Sequence, residues 1–123
     1  MQAGRSVFIN ANITTDGGTF TVIANDTAAN EVQRIDATGA ELTIASGVDI
    51  DTGSGDISLT MSTGTGGIGE DSGDIIFERL TTTGHVFIGQ AGQTLGSSVL
   101  RASAASRVTA ASLTIDISNA VNT

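Results

Sequence analysis

Cysteine, proline, tryptophan, tyrosine and lysine are all missing from this chain of 123 residues. Without cysteine there are no disulfides and no thiolate metal sites. Aromatic residues make up only 3%, four Phe in all, so the core of a 39% hydrophobic chain must be built from Ile, Val, Leu and Ala. Every basic residue is an arginine (Arg5, Arg34, Arg79, Arg101 and Arg107), and these five face 13 acidic residues. The net charge of −8 lacks the basic footprint that nucleic acid or an anionic membrane requires. No apolar run approaches the roughly 18 residues of a membrane-spanning helix. No leader pattern is visible, because Met1-Gln2-Ala3-Gly4 runs directly into a strand pattern. Met1 is expected to be a start added to a piece of a longer chain.

What is present is glycine, 16 residues of it, together with abundant threonine. That composition, short of Lys, Glu and Leu, disfavours helices. Apolar-x-apolar strand cores stand at Val7/Ile9, Phe20/Val22, Leu42/Ile44, Ile57/Leu59, Ile75/Phe77, Val86/Ile88 and Leu113/Ile115, with a weaker one at Leu100. Glycine or a small residue precedes most of them (Gly18, Gly39, Gly55, Gly73, Gly84, Ser98 and Ala111), where a chain must turn. Gly55-Asp56-Ile57-Ser58-Leu59 returns as Gly73-Asp74-Ile75-Ile76-Phe77. Short turns after Ile13, Ile50 and Leu80 alternate with longer stretches around 25–31, 62–69 and 89–94. A two-strand unit therefore recurs at Val7, Leu42, Ile75 and about Val99, a spacing that points to a solenoid.

The expected fold is all-β: a right-handed parallel β-helix of about eight coils, forming a single domain over 1–123 that is a fragment or stacking unit of a longer fibre. At about 4.8 Å per coil such a rod is about 38 Å long. The alternative is an antiparallel β-sandwich. Small aliphatic cores, coils that vary by loop insertion, and Thr19, Thr21, Thr43, Thr60 and Thr114 beside the cores favour the helix. Asp16-Gly17 is the one hairpin dipeptide of the Asn-Gly or Asp-Gly kind. The segment 100–111 tolerates helix, but Val108-Thr-Ala-Ala-Ser-Leu repeats the pattern after Ile13 and Leu80 and is read as a further coil. No capping helix is visible at either end, which leaves strand edges open. The expected inward stack is Val7, Ile9, Val22, Ile44, Ile57, Leu59, Ile75, Phe77, Val86, Ile88, Leu113 and Ile115.

Gly55-Asp56-Ile57-Ser58-Leu59-Thr60, then Thr65-Gly66-Gly67-Ile68-Gly69, resembles the glycine-rich repeats of filamentous-haemagglutinin-type adhesins and related large bacterial exoproteins. Leu80-Thr-Thr-Thr-Gly-His-Val-Phe-Ile88 is similar to their short-coil-to-strand passage, and the resemblance extends over roughly 6–117. It implies a right-handed β-helix, export to the bacterial surface or medium, and a role as stalk or adhesive fibre. It brings no catalytic residues.

Candidate chemistry is sparse. Gly66-Gly67-Ile68-Gly69-Glu70-Asp71 matches the start of a calcium nonapeptide. Glu70, Asp71 and Asp74 are accordingly weak calcium candidates, with a solvated acidic loop as the plainer reading. Asp49, Asp51 and Asp56 form a second acidic cluster, with Asp49 and Asp51 outward and Ile50 inward. His85 is the only histidine, expected to be exposed or bonded in a turn; there is no serine elbow and no aromatic platform for cleaving polysaccharide. Asn12-Ile13-Thr14 and Asn25-Asp26-Thr27 have sequon form, unused in a bacterial product. The functional expectation is a non-catalytic structural segment of a secreted or surface fibre, without cofactor, that stacks on like segments. Alternatives are a glycan- or receptor-binding module using loops 25–31 and 63–73, or a subunit that assembles head to tail.

Overall fold

A computed structural model describes residues 1–26, 40–62, 72–90 and 100–117. The described residues contain ten strands and no helix: β1 (Val7–Ile9), β2 (Ile13–Thr14), β3 (Phe20–Ala24), β4 (Ala40–Ile44), β5 (Asp49–Asp51), β6 (Ile57–Met61), β7 (Ser72–Thr81), β8 (His85–Gln90), β9 (Leu100–Thr109) and β10 (Ser112–Ile117). All the strand pairings are parallel, so the antiparallel sandwich is not the arrangement adopted.

Strands adjacent in sequence do not pair. Val7 lies opposite Leu42, Leu42 opposite Ile75 and Ile75 opposite Leu100. Ile13 lies opposite Ile50, Ile50 opposite Leu80 and Leu80 opposite Val108. Phe20 lies opposite Ile57, Ile57 opposite Val86 and Val86 opposite Leu113. The result is three stacks of four parallel strand segments. The first holds β1, β4 and the leading halves of β7 and β9. The second holds β2, β5 and their trailing halves. The third is β3, β6, β8 and β10. β7 and β9 are long enough to run from the first stack into the second, which joins these two into one six-stranded sheet beside the four-stranded third.

The repeat is therefore three strands, not two. The starting points read from the sequence are nonetheless in register, the fourth falling at Leu100. Segment 100–111 is strand for most of its length, and Val108 occupies the place of Ile13 and Leu80. The second stack escaped the sequence pattern because each of its strands sends one side chain inward, leaving no alternation to detect.

The three stacks enclose one aliphatic core. Leu42, Ile44, Ile50, Ile57, Leu59, Ile75, Leu80, Val86 and Ile88 are fully buried, joined by Val22 and Met61. Each such side chain contributes about 1.5–3 kcal/mol on leaving water. Two members of the expected inward stack differ: Leu113 and Ile115 are 45% and 46% exposed. They occupy the inward register of Val86 and Ile88, but β10 is the last described strand of its stack and nothing described lies beyond it.

The opposite end is partly covered, contrary to the expectation of two open ends. Residues 1–3 run parallel to β3, with Gln2 bridged to Ile23. Ala3 N donates to Ile23 O at 2.9 Å, Ile23 N donates to Met1 O at 2.9 Å, and the Met1 ammonium donates to Thr21 O at 2.7 Å.

Candidate functional site

The densest polar constellation is the corner where the chain turns from the second stack into the third. It comprises residues 15–18, 52–55, 82–84 and 110–111. Thr15, Thr52 and Thr82 follow Thr14, Asp51 and Thr81, which are in register, so three hydroxyls recur at one place. Thr15 Oγ1 donates to Gly18 O at 2.6 Å. Thr52 Oγ1 donates to Gly55 O. Thr82 Oγ1 also donates to Gly55 O, at 2.6 Å, while accepting from Gly84 N at 2.8 Å. Thr82 thus ties its own turn to the previous one, and both Thr52 and Thr82 are buried. The backbone ladder continues through the corner: Thr15 N to Asp51 O, Thr52 N to Thr81 O, and Thr82 N to Thr109 O, at 2.9–3.1 Å. Gly17 and Gly53 have φ of 82° and 62°, conformations that favour glycine. Gly55 is needed for a different reason, because a Cβ there would sit 2.4 Å from the carbonyl carbon of Gly18.

The acidic cluster lies on the flank of this corner and is consumed by structure. Asp49 and Asp51 flank an inward Ile50, as their alternation requires. The Arg79 guanidinium meets both Asp49 oxygens, Nε on Oδ1 and Nη2 on Oδ2, the latter at 2.7 Å. Asp49 N donates to Asn12 Oδ1 at 2.9 Å, so Asp49 of β5 is tied both to Arg79 of β7 and to the residue just before β2. Asp51 Oδ1 accepts from Gly53 N at 2.9 Å, and Asp56 Oδ1 accepts from His85 N at 2.8 Å. His85 is exposed, with Nδ1 in hydrogen-bond contact with Ser112 Oγ. A serine and a histidine meet here, but Asp56 engages the histidine backbone and not its ring, so nothing described orients the imidazole as a base.

Among the described residues no group of three or more His, Cys, Asp or Glu could hold a metal ion. Asp74 is half-buried in β7. Glu70 and Asp71 lie outside the described residues, as do 27–31 and 63–71 of the two candidate binding loops. Of the sequons, Asn25 is buried, with positive φ and its Nδ2 donating to Ser62 O at 3.1 Å. The nitrogen that would carry a glycan is engaged inside the fold.

Sequence reasoning missed the corner hydroxyls. Their signal was present: Thr15 stands three residues before Gly18, and Thr52 three before Gly55. The constellation can brace a stack of turns; it offers neither an oriented nucleophile nor a cation cage. Comparison with known protein families, curated proteins and solved structures found no match.

Proposed function

We propose that this chain is a structural, non-catalytic β-solenoid segment: a right-handed parallel β-helix of four three-strand rungs. Four rungs rise about 19 Å, half the length of the eight coils first expected. The observation that carries the reading is the set of unbroken register columns, Val22–Leu59–Ile88–Ile115 among them. Parallel strands stacked in register, with like residues above like, make each rung a template for the next. The corner threonines and the Asn12–Asp49–Arg79 ladder brace the outside. The net charge of −8 helps keep such a rod dispersed.

The biological role proposed is a stalk segment of a secreted or cell-surface fibre of the filamentous-haemagglutinin type, whose partners are like segments of the same fibre. Support comes from the repeat residues and from the use of every corner and flank group described above in bracing. Immunolabelling of intact cells that make the protein tests it. Labelling without lysis is expected; labelling only after lysis would contradict the surface role.

A further inference from the structure

The aspartates around the threonine corner differ in what holds them. Asp49 is paired with Arg79, Asp51 accepts from Gly53 N and Asp56 accepts from His85 N. Asp16 lies exposed in the first corner, and among the described residues nothing bonds its carboxylate. The following residue differs too. Asp49, Asp51 and Asp56 precede Ile50, Thr52 and Ile57, whose branched Cβ crowds the backbone nitrogen. Gly17 has no Cβ, so Asp16 stands directly before an unshielded amide.

Those two groups react with each other. Gly17 N attacks Asp16 Cγ: an N–Cγ bond forms and a Cγ–O bond breaks. One carboxyl oxygen leaves as water, carrying the carboxyl proton and the amide hydrogen. The ring formed is a five-membered succinimide, and water then adds to one of its two carbonyls. Opening the N–Cγ bond restores aspartate. Opening the bond from Gly17 N to the Asp16 carbonyl carbon gives isoaspartate, in which the main chain runs through the side-chain methylene. Water is the only reactant taken up, and it replaces the water lost.

The folded corner withholds the nucleophile. Gly17 N donates to Thr52 O at 3.0 Å, and a Cβ on Gly53 would come within 3.2 Å of the same nitrogen, so the second corner lies against it. Ring closure takes the hydrogen off this nitrogen, which requires the first corner to lift away. Isoaspartate then lengthens the turn by one backbone atom. The packing has no room for it, since a single Cβ at Gly55 would already meet Gly18 C at 2.4 Å and Gly17 O at 2.8 Å.

We propose that Asp16-Gly17 is a gated modification site: isoaspartate forms there only when Gly17 N leaves Thr52 O, and once formed it keeps the first corner from closing.

The full chain is held at neutral pH in heavy-oxygen water, and peptide mapping by mass spectrometry reads label at residue 16 together with the isoaspartyl peptide. Asp16→Glu should abolish both signals. The native chain is expected to react at least about tenfold more slowly than the chain unfolded in urea. That slowing should equal the slowing of hydrogen exchange at Gly17 N, because one opening exposes both. In Gly55→Ala, which presses the two corners apart, both protections should fall together. Equal rates in native and unfolded chain, or a native reaction slowed far less than Gly17 exchange, would overturn the proposal, and wild-type chain alone decides this if Gly55→Ala does not fold. Absence of label at residue 16 even in urea would overturn it as well.

Discussion

Gly55→Ala is a one-methyl test of the corner. Its Cβ would meet Gly18 C and O at 2.4 Å and Gly17 O at 2.8 Å. All three are backbone atoms of the preceding turn, so no side chain can rotate away. Overpacking a well-filled site costs about 1–3 kcal/mol, and a backbone obstacle places this case at the upper end. Shifting the turn also disturbs the Thr82 Oγ1 to Gly55 O bond, worth about 1 kcal/mol. The sum is about 3–4 kcal/mol, a fall in Tm of about 12–16 °C for a domain of this size. Gly18→Ala is the matched control, occupying the corresponding turn position one rung earlier. Its Cβ would find only Thr15 side-chain atoms at 3.7 Å, an ordinary contact, so its Tm should move by less than about 4 °C. Thermal unfolding followed by circular dichroism compares the two. Equal effects, or a Gly55→Ala protein that melts with the wild type, would refute the close stacking of the corners.

Leu59→Asp places an unpaired charge at a fully buried position and should cost several kcal/mol. Thr60→Asp, half-buried beside it, should cost far less, and urea titration separates them. Thr82→Val keeps the shape but removes the acceptor of Gly84 N and one of the two hydroxyl donors to Gly55 O; a loss of about 1–3 kcal/mol is expected, read as a lowered urea midpoint at unchanged slope. Arg79→Ala breaks the pair with Asp49, whose side chains are 46% and 37% exposed. It should cost no more than about 1 kcal/mol, and the difference from wild type should shrink as salt is raised.

Much of the fold was legible in the residues because burial imposes period two on the first and third stacks. Val7, Leu42 and Ile75 carry the repeat in the sequence itself, and the echo of Ile13 and Leu80 at Val108 marks its fourth occurrence. The second stack was hidden because Ile13, Ile50, Leu80 and Val108 each stand alone. A lone apolar residue beside a glycine turn reads as part of the turn, so one three-strand rung was counted as a pair of coils. Leu113 and Ile115 have the alternation of core residues; their exposure depends on what stacks beyond β10, and strand pattern carries no such information. The pairing of residues 1–3 with β3 could not be read at all, because its contacts with Thr21 and Ile23 are made by backbone groups. In the corner, Asp49, Asp51 and Asp56 looked like a cluster with a shared purpose. Folding gives each a separate partner: an arginine, a turn amide and a strand amide in the next rung.

The repeat contains three strands, so that β1 pairs with β4 and not with β3. Phe8 and Thr43 are registered across that pairing, and parallel strands lie about 4.8 Å apart, within reach of a disulfide. Phe8→Cys/Thr43→Cys and Phe8→Cys/Thr21→Cys, oxidised as monomers and read by mass spectrometry, measure it directly. Stacked three-strand rungs predict that the first pair closes and the second does not. Closure of Phe8→Cys/Thr21→Cys, with Phe8→Cys/Thr43→Cys remaining reduced, would contradict the three-strand rung.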